Sequence, residues 1–539
     1  MKTAMNRRAF LKGAAVSGIA AAALGLTACA PQTKMTSDAS DLAKTGEAAG
    51  PSVPDTIAET VSVDLLIVGG GMSGLAAAVE AGDQGLSTLV IEATGELGGN
   101  GMGVEGLLGV GSSLQKEQNI EIEPAAVIRS ELDYTHGRND ALRWMDLIQN
   151  SGQNVDWLVD HGVALSGQVD GYMEGGEYPT FHWFEGGFAK TGYINQMHDA
   201  AEAAGVQFRM NTKGTDLVFE DGVVKGAYAE NEAGEALKIE AKAVILATGG
   251  FGGNPDYLVS RGYNPDDLFS FGAPNHDGDG FRMALSVGAG DRSQNFCALE
   301  NFSFRGITSH DELFMWLNSI IATLYTPTVM WVNQNGERYV FEDCGAANYH
   351  ATMTPSFNQE FTCCIFDRGI FEENVRVQCP YLDFEEGVAH LDEYVAEHED
   401  TDIVVADTFE ELASKAAQVF GLDEQTLLTN LNRYNELCKA GHDADFGKAA
   451  EFMKPFTNPP FYLGRLTQGV AVAIGGIHTS RNMEVLTEED EPIPGLYSCG
   501  VDGVELYRNI YTINIGGSCN ANNVNSGRIA VRNAKEYMA

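Results

Sequence analysis

Three glycines and one acid carry the clearest chemistry in this chain. Gly69, Gly71 and Gly74 stand in the order G-x-G-x-x-G, and Glu92 closes the β-prone run Thr88-Leu89-Val90-Ile91 that follows. Glycines at this spacing let a backbone approach a pyrophosphate. Amides at the next helix start stabilise its charge, and an acid at the second strand end takes the ribose hydroxyls. A tight strand-helix turn without a ligand would leave Glu92 unexplained. Gly98-Gly99-Asn100 lies just beyond the acid. An NAD site needs no second glycine pair there. A flavin does, because its ribityl chain and ring run back past this loop; an ordinary surface turn is the other reading. The expected cofactor is FAD, held non-covalently.

The elements around these residues fit an α/β fold. Val63, Leu65, Leu66, Ile67 and Val68 form the β run before the glycines, and Leu75 to Ala81 an Ala-rich helix after them. Helices are expected at 138–161 and 190–204, and a hairpin over Asp216 to Glu230 with its turn at Asp221-Gly222. Ala243 to Leu246 reads as a buried parallel strand ending in Thr248-Gly249-Gly250. His276-Asp277-Gly278-Asp279-Gly280 then opens a helix, and its spacing is not that of an EF-hand. From about 290 the pattern changes to short β runs, such as Thr328 to Val332, and to helices at 408–439. The tail returns to β and glycine-rich sequence, with Ile515-Gly516-Gly517-Ser518 opening a last helix. Amides at such a helix start stabilise negative charge on a reduced flavin. The expected segments are a leader over 1–29, a flexible linker over 30–60, FAD-binding parts over 61–285 and 456–539, and a substrate cap over 286–455.

Composition narrows the setting. A chain of 539 residues with 44% hydrophobic residues can bury a large core. Its net charge of −41 disfavours nucleic acid and anionic membrane. Arg7-Arg8 with Phe10-Leu11-Lys12 looks like a twin-arginine export signal, and Leu26-Thr27-Ala28-Cys29 like a lipoprotein cleavage box. Cys29 would then be lipidated, its only membrane attachment, at the outer face of the cytoplasmic membrane; plain secretion is the alternative. The other cysteines form no C-x-x-C and no C-x-x-C-H, so no haem is expected. Nothing in their spacing argues for an iron–sulfur cluster, and no metal site is expected.

The motifs VGGGMSGLAAA, GGN, ILATGGFGGN, HDGDG, NQNGERYV, PPFY, GGIHT, IPGLYSCG and IGGS follow one another between residues 61 and 535. The series resembles the fumarate reductase/succinate dehydrogenase flavoprotein family. Within it, the likeness is to the soluble extracytoplasmic branch with flavocytochrome c fumarate reductases, urocanate reductase and 3-ketosteroid dehydrogenases. The resemblance implies a Rossmann-like FAD-binding domain interrupted by an α+β capping domain. It places Gly69, Gly71, Ser73 and Gly74 at the pyrophosphate, Glu92 at the ribose and Gly98, Gly99 and Asn100 at the ribityl-flavin loop. It also places Gly214 at the adenine, and Thr248, Gly249, Asp279, Asp502 and Ser518 at further cofactor positions. Asp502 stands where the family usually has Glu.

The same resemblance finds the substrate clamp missing. The catalytic Arg of fumarate reductases would fall at Ala346, eight residues beyond Arg338. A substrate His would fall at Ala471, a carboxylate-binding Arg at Asn514, and another His-type ligand near Leu299-Glu300. A four-carbon dicarboxylate needs paired cations, so fumarate and succinate are disfavoured. Aromatic and hydroxylic groups remain: Tyr349 and His350 just past the vacant Arg, Tyr462 in the Pro-Pro-Phe-Tyr motif, and Arg508 and Tyr511 before the last helix. Phenols donate protons or polarise carbonyls, although any one of them can be a packing residue. The function implied is hydride transfer from flavin N5 to an α,β-unsaturated carbonyl compound. A membrane quinol oxidoreductase or cytochrome would supply electrons. A 3-ketosteroid-type dehydrogenase and a flavin lipoprotein that only transfers electrons are the alternatives.

Overall fold

The computed structural model describes residues 50–172, 176–273, 275–307, 319–347, 353–379, 382–503 and 505–539. The expected leader, with Arg7, Arg8 and Cys29, and the candidates Tyr349 and His350 lie outside the described residues.

β1 (Glu59–Val68), helix α1 (Met72–Asp83) and β2 (Thr88–Ile91) make the first β-α-β unit. β3 (Gly106–Leu108) follows, then helices α2 (Pro124–Tyr134) and α3 (Ala141–Asp160), β4 (Leu165–Asp170) and β5 (Phe181–Phe184). The three short strands form a separate antiparallel sheet in the order β3-β5-β4. Helix α4 (Ile194–Ala203) leads back to β6 (Gln207–Arg209). The hairpin β7 (Thr212–Glu220) and β8 (Val223–Asn231) precedes β9 (Ala236–Leu246), its turn at Asp221-Gly222 as expected. After β10 (Leu268–Ser270) and helix α5 (Asp279–Ser286) come β11 (Cys297–Phe304), β12 (Met330–Asn333), β13 (Thr362–Asp367) and β14 (Ile403–Ala406). Helices α6 (Phe409–Phe420) and α7 (Glu424–Ala440) lead to β15 (Phe461–Ile474). β16 (Glu484–Leu486), β17 (Pro492–Ser498) and helix α8 (Ser518–Met538) end the chain.

The main sheet runs β16-β17-β9-β1-β2-β6, with the β7-β8 hairpin joined through β8 to β9. β1 has a parallel neighbour on each edge, β2 and β9. Its last four residues are buried, as a strand covered on both faces requires. Side chains alternate between two cores: Leu65 and Ile67 face α1, α3 and α8, while Leu66 and Val68 face the other side. Each fully buried aliphatic side chain stabilises by about 1.5–3 kcal/mol.

The second sheet runs β10-β15-β13-β12, with β11 and β14 also paired to β15. β10 and β15 lie outside the 286–455 segment in sequence, yet both hydrogen-bond into this sheet, and β15 is its centre. The core on the Leu66 face continues into this sheet through Phe302, Trp331 and Leu463, so cap and FAD-binding half share packing.

Helix α8 is clamped onto α1. Buried Glu80 of α1 takes Arg528 Nε at 2.7 Å and Arg532 Nε at 2.8 Å. Gly527 permits the close crossing, since a Cβ there would come within 2.6 Å of the Ser73 carbonyl. The helix starts that face a cofactor are thereby held together. Among the described residues no helix is long and apolar enough to cross a membrane.

Candidate functional site: a glycine cradle and an acid–phenol cluster

Each motif glycine does a different task. Gly69 has φ 111°, and a Cβ there would sit 2.2 Å from the Ala247 carbonyl oxygen. At Gly74 a Cβ would lie 2.0 Å from the Gly69 oxygen, so α1 packs directly on the turn. Gly71 is different: its φ of −74° suits any residue, and its Cβ would meet only the Gly98 oxygen at 3.8 Å. The space above Gly71 is open. No side chain caps α1, so its first amides are left for a ligand. Glu92 accepts the Gly70 amide at 2.8 Å and the Thr94 amide at 2.8 Å, which fixes the acid beside the turn.

The second loop is tied to the cap. Asn100 donates to the Ala471 carbonyl at 3.0 Å and accepts the Ala273 amide at 2.6 Å. It joins the Gly98-Gly99 loop to β15 and to the segment after β10. The His276 ring stands between Gly99 and Gly249, and a Cβ on Gly249 would meet it at 2.2 Å.

The remaining cofactor candidates divide by geometry. Ser73 is buried at the start of α1, against Gly500. Gly214 packs on Val68 of β1. Asp279 opens α5 and pairs with Lys213 at 2.7 Å. Ser518 opens α8, with its hydroxyl 2.7 Å from that of Tyr507. Asp502 is 1% exposed and accepts from the Thr248 amide at 2.5 Å, the Gly250 amide at 2.6 Å and the Thr248 hydroxyl. Its carboxylate holds the Thr-Gly-Gly turn in shape. Burial raises its pKa, against the pull of these donors.

Of the described catalytic candidates, Tyr462 stands apart from Arg508 and Tyr511. Tyr462 is stacked on Phe366, and Arg368 donates to its hydroxyl at 3.4 Å. It lies nine residues from Ala471 along β15, roughly 30 Å in an extended strand. The structure keeps it away from the cradle, because adjacency to a motif does not say which end of a strand reaches the site. Arg508 is exposed, with φ 51°. Tyr511 is at the cradle's end, edge-to-face on Tyr507 at 5.1 Å. Asn514, the vacant Arg position, is turned to Glu131 of α2 at 3.3 Å.

Two acids were missed in the sequence. Glu105, just before β3, is hydrogen-bonded to Tyr172, and burial pushes its carboxyl up to about 7. Glu300 on β11 accepts from Tyr263 and is likewise pushed up to about 7 by burial. Among the described residues, neither is paired with a lysine or arginine. An acid in the apolar run Val104 to Leu108 was the only signal for Glu105. Next to Ala471, the vacant His position, pack Phe269, Phe271, Ile321 and Tyr325.

Open space at Gly71, uncapped amides at α1 and α8, and an acid at the second strand end fit a dinucleotide. The fold and site define an α/β dinucleotide-binding protein. Residues 64–512 match the family model described as FAD binding domain, and the chain belongs to this family. It is 31% identical over 494 residues to the vinyl phenol reductase of Lactiplantibacillus plantarum, covering 89% of this chain and 98% of that protein. It is 26% identical to the urocanate reductase of Eggerthella lenta, covering 91% and 77%. Among solved structures, the open form of a flavocytochrome c3 fumarate reductase superposes with a TM-score of 0.67 at 24% identity, covering 89% of this chain and 79% of that one. The cofactor is FAD and the protein is an oxidoreductase.

Proposed function

We propose that the protein reduces an activated C=C bond in a neutral, apolar acceptor of the aryl-vinyl or enone kind. One observation carries this reading. Where a dicarboxylate clamp would need cations, Ala471 is packed among Phe269, Phe271 and Ile321, and the acid Glu300 stands opposite its neighbour Val470. Such walls desolvate an apolar ring and repel a carboxylate. The likeness to a vinyl phenol reductase supports the same substrate class.

Gly71, Glu92, Asn100 and the starts of α1 and α8 would hold FAD, which once reduced supplies hydride to one alkene carbon. The chain's part is to exclude water, orient the acceptor and supply a proton to the other carbon. With dithionite-reduced viologen as donor, 4-vinylphenol should be reduced with kcat/KM at least about 100-fold above fumarate, the size of effect expected when a charged substrate meets no countercharge. Equal or better turnover of fumarate, or no turnover across vinyl phenols, aryl acrylates and enones, sinks the reading.

The site of action is part of the proposal. The twin-arginine leader and Cys29 support export to the outer face of the cytoplasmic membrane, with electrons from a membrane quinol oxidoreductase or cytochrome. Changing Arg7→Lys together with Arg8→Lys should hold the protein in the cytoplasm, read by fractionation. Unchanged export of the double variant counts against this route.

A further inference from the structure

We propose that Glu105, hydrogen-bonded to Tyr172 and flanked by Tyr511, is the acid that protonates the substrate carbon. This rests on the C=C reductase reading above. Glu105 is anchored by its surroundings. Its carbonyl accepts the Phe184 amide at 2.9 Å. The neighbouring strand β3 is pinned to the start of α8: the Leu108 amide donates to the Gly517 carbonyl at 3.1 Å, and Asn520 donates to the Gly106 carbonyl at 2.7 Å. The acid is therefore fixed beside the uncapped amides of α8.

Tyr172 adds an independent observation. Its φ is 65°, a left-handed conformation that is costly for a bulky residue. Such strain persists only where the surroundings impose it, and it clusters at functional sites. Here Asp170 accepts the Tyr172 amide at 2.8 Å and the Trp183 indole N–H at 3.0 Å. The Tyr172 ring lies 4.5 Å from Phe181 and 5.7 Å from Trp183. Its Cβ lies 2.5 Å from where a Cβ on Gly516 would stand, which puts the phenol at the head of α8.

Among the described residues, the titratable groups that meet Glu105 are Tyr172 from the turn after β4 and Tyr511 from the loop before α8, and Tyr511 in turn faces Cys519 of α8 and Cys297 of β11. Glu131 and Glu300 lie one layer further out. None of these described groups is a lysine, arginine or histidine. Burial, the largest influence, holds the Glu105 carboxyl at about 7, so much of it carries its proton at neutral pH. In the step, the Glu105 O–H bond breaks and a C–H bond forms at one alkene carbon. The other carbon receives hydride, with both electrons, from the reduced flavin. The carboxylate left behind regains a proton from water through Tyr172, a positioning and relay residue.

The test uses FAD-loaded enzyme, reduced viologen and 4-vinylphenol. A positioned acid contributes about 100-fold or more, so Glu105→Gln should lower kcat at pH 7 by that factor with flavin content unchanged. In the wild type kcat should fall as pH rises through about 7, because the ionised acid has no proton to give. Glu105→Gln should lose that limb, and Tyr172→Phe should shift it. Infrared spectra, read without turnover, should show a protonated-carboxyl band that titrates near neutrality and is missing in Glu105→Gln. A Glu105→Gln enzyme with kcat within threefold and an unchanged pH limb overturns the proposal. If the wild type reduces no acceptor, the function reading fails by itself. The infrared band then decides for Glu105, and a carboxyl fully ionised at pH 6 overturns its role.

Discussion

Gly71→Val should yield a folded protein that retains no FAD. The reason lies in what each glycine touches. A side chain at Gly71 meets only the Gly98 oxygen, at 3.8 Å, and its backbone is in an ordinary extended conformation. Replacing Gly at this cap position costs the helix about 0.5–2 kcal/mol. The new isopropyl group, however, fills the space through which a pyrophosphate must approach the first amides of α1. We expect FAD affinity to fall at least 1,000-fold, about 4 kcal/mol. Gly74→Ala is the contrasting case. Its Cβ would lie 2.0 Å from the Gly69 carbonyl oxygen, so α1 must leave β1. That variant should lose about 1–3 kcal/mol or more of stability as well as flavin. Flavin released on heating, and melting of the apoproteins, separate the two. Stoichiometric FAD on purified Gly71→Val would show that the pyrophosphate lies elsewhere.

The cradle was legible because its demands are local. Gly69 needs a positive φ, Gly74 a missing Cβ, and Glu92 a strand end, and each shows as a residue type at a fixed offset. The hairpin turn at Asp221-Gly222 was legible for the same reason. The membership of β15 was not. A long apolar strand does not name its partners, and this one pairs with β11, β13 and β14 of the cap. For Asp502, no offset reveals that Thr248 and Gly250, distant in sequence, donate to its carboxylate. Glu105, Tyr172 and Tyr511 come from three separate segments. Their chemistry depends on the folding of a small sheet that no motif announces.

Glu342→Ala should be among the most destabilising single changes in the cap. Arg338 of the Gly-Glu-Arg-Tyr motif does not reach toward a substrate. It forms a bidentate pair with Glu342, at 2.8 and 2.7 Å, and bonds Asp443 at 2.8 Å. Lys448 lies 3.2 Å from the same Glu342 oxygen and donates to the Val329 carbonyl and the Tyr434 hydroxyl. All four side chains are nearly inaccessible to water, with exposures from 0% to 4%. Two acids balance two bases, and the cluster clamps β12, α7 and the turn at Asp443 together. Removing Glu342 leaves two buried cations against one acid. Breaking a buried pair in this way costs about 3–5 kcal/mol, or roughly 3–5 °C in melting temperature for a body of this size. Glu342→Gln keeps the shape but not the charge and should fall between. Acid should mimic part of the loss. Burial tends to raise the Asp443 carboxyl, but Arg338 and the amides of Lys448 and Phe446 outweigh it and hold it well below the usual range. A carboxyl depressed in the folded state stabilises fully above its unfolded value, near 4, and loses that contribution as pH falls further. Asp443→Asn should therefore flatten the acid limb of the melting curve, and an unchanged limb would mean the cluster does not govern it.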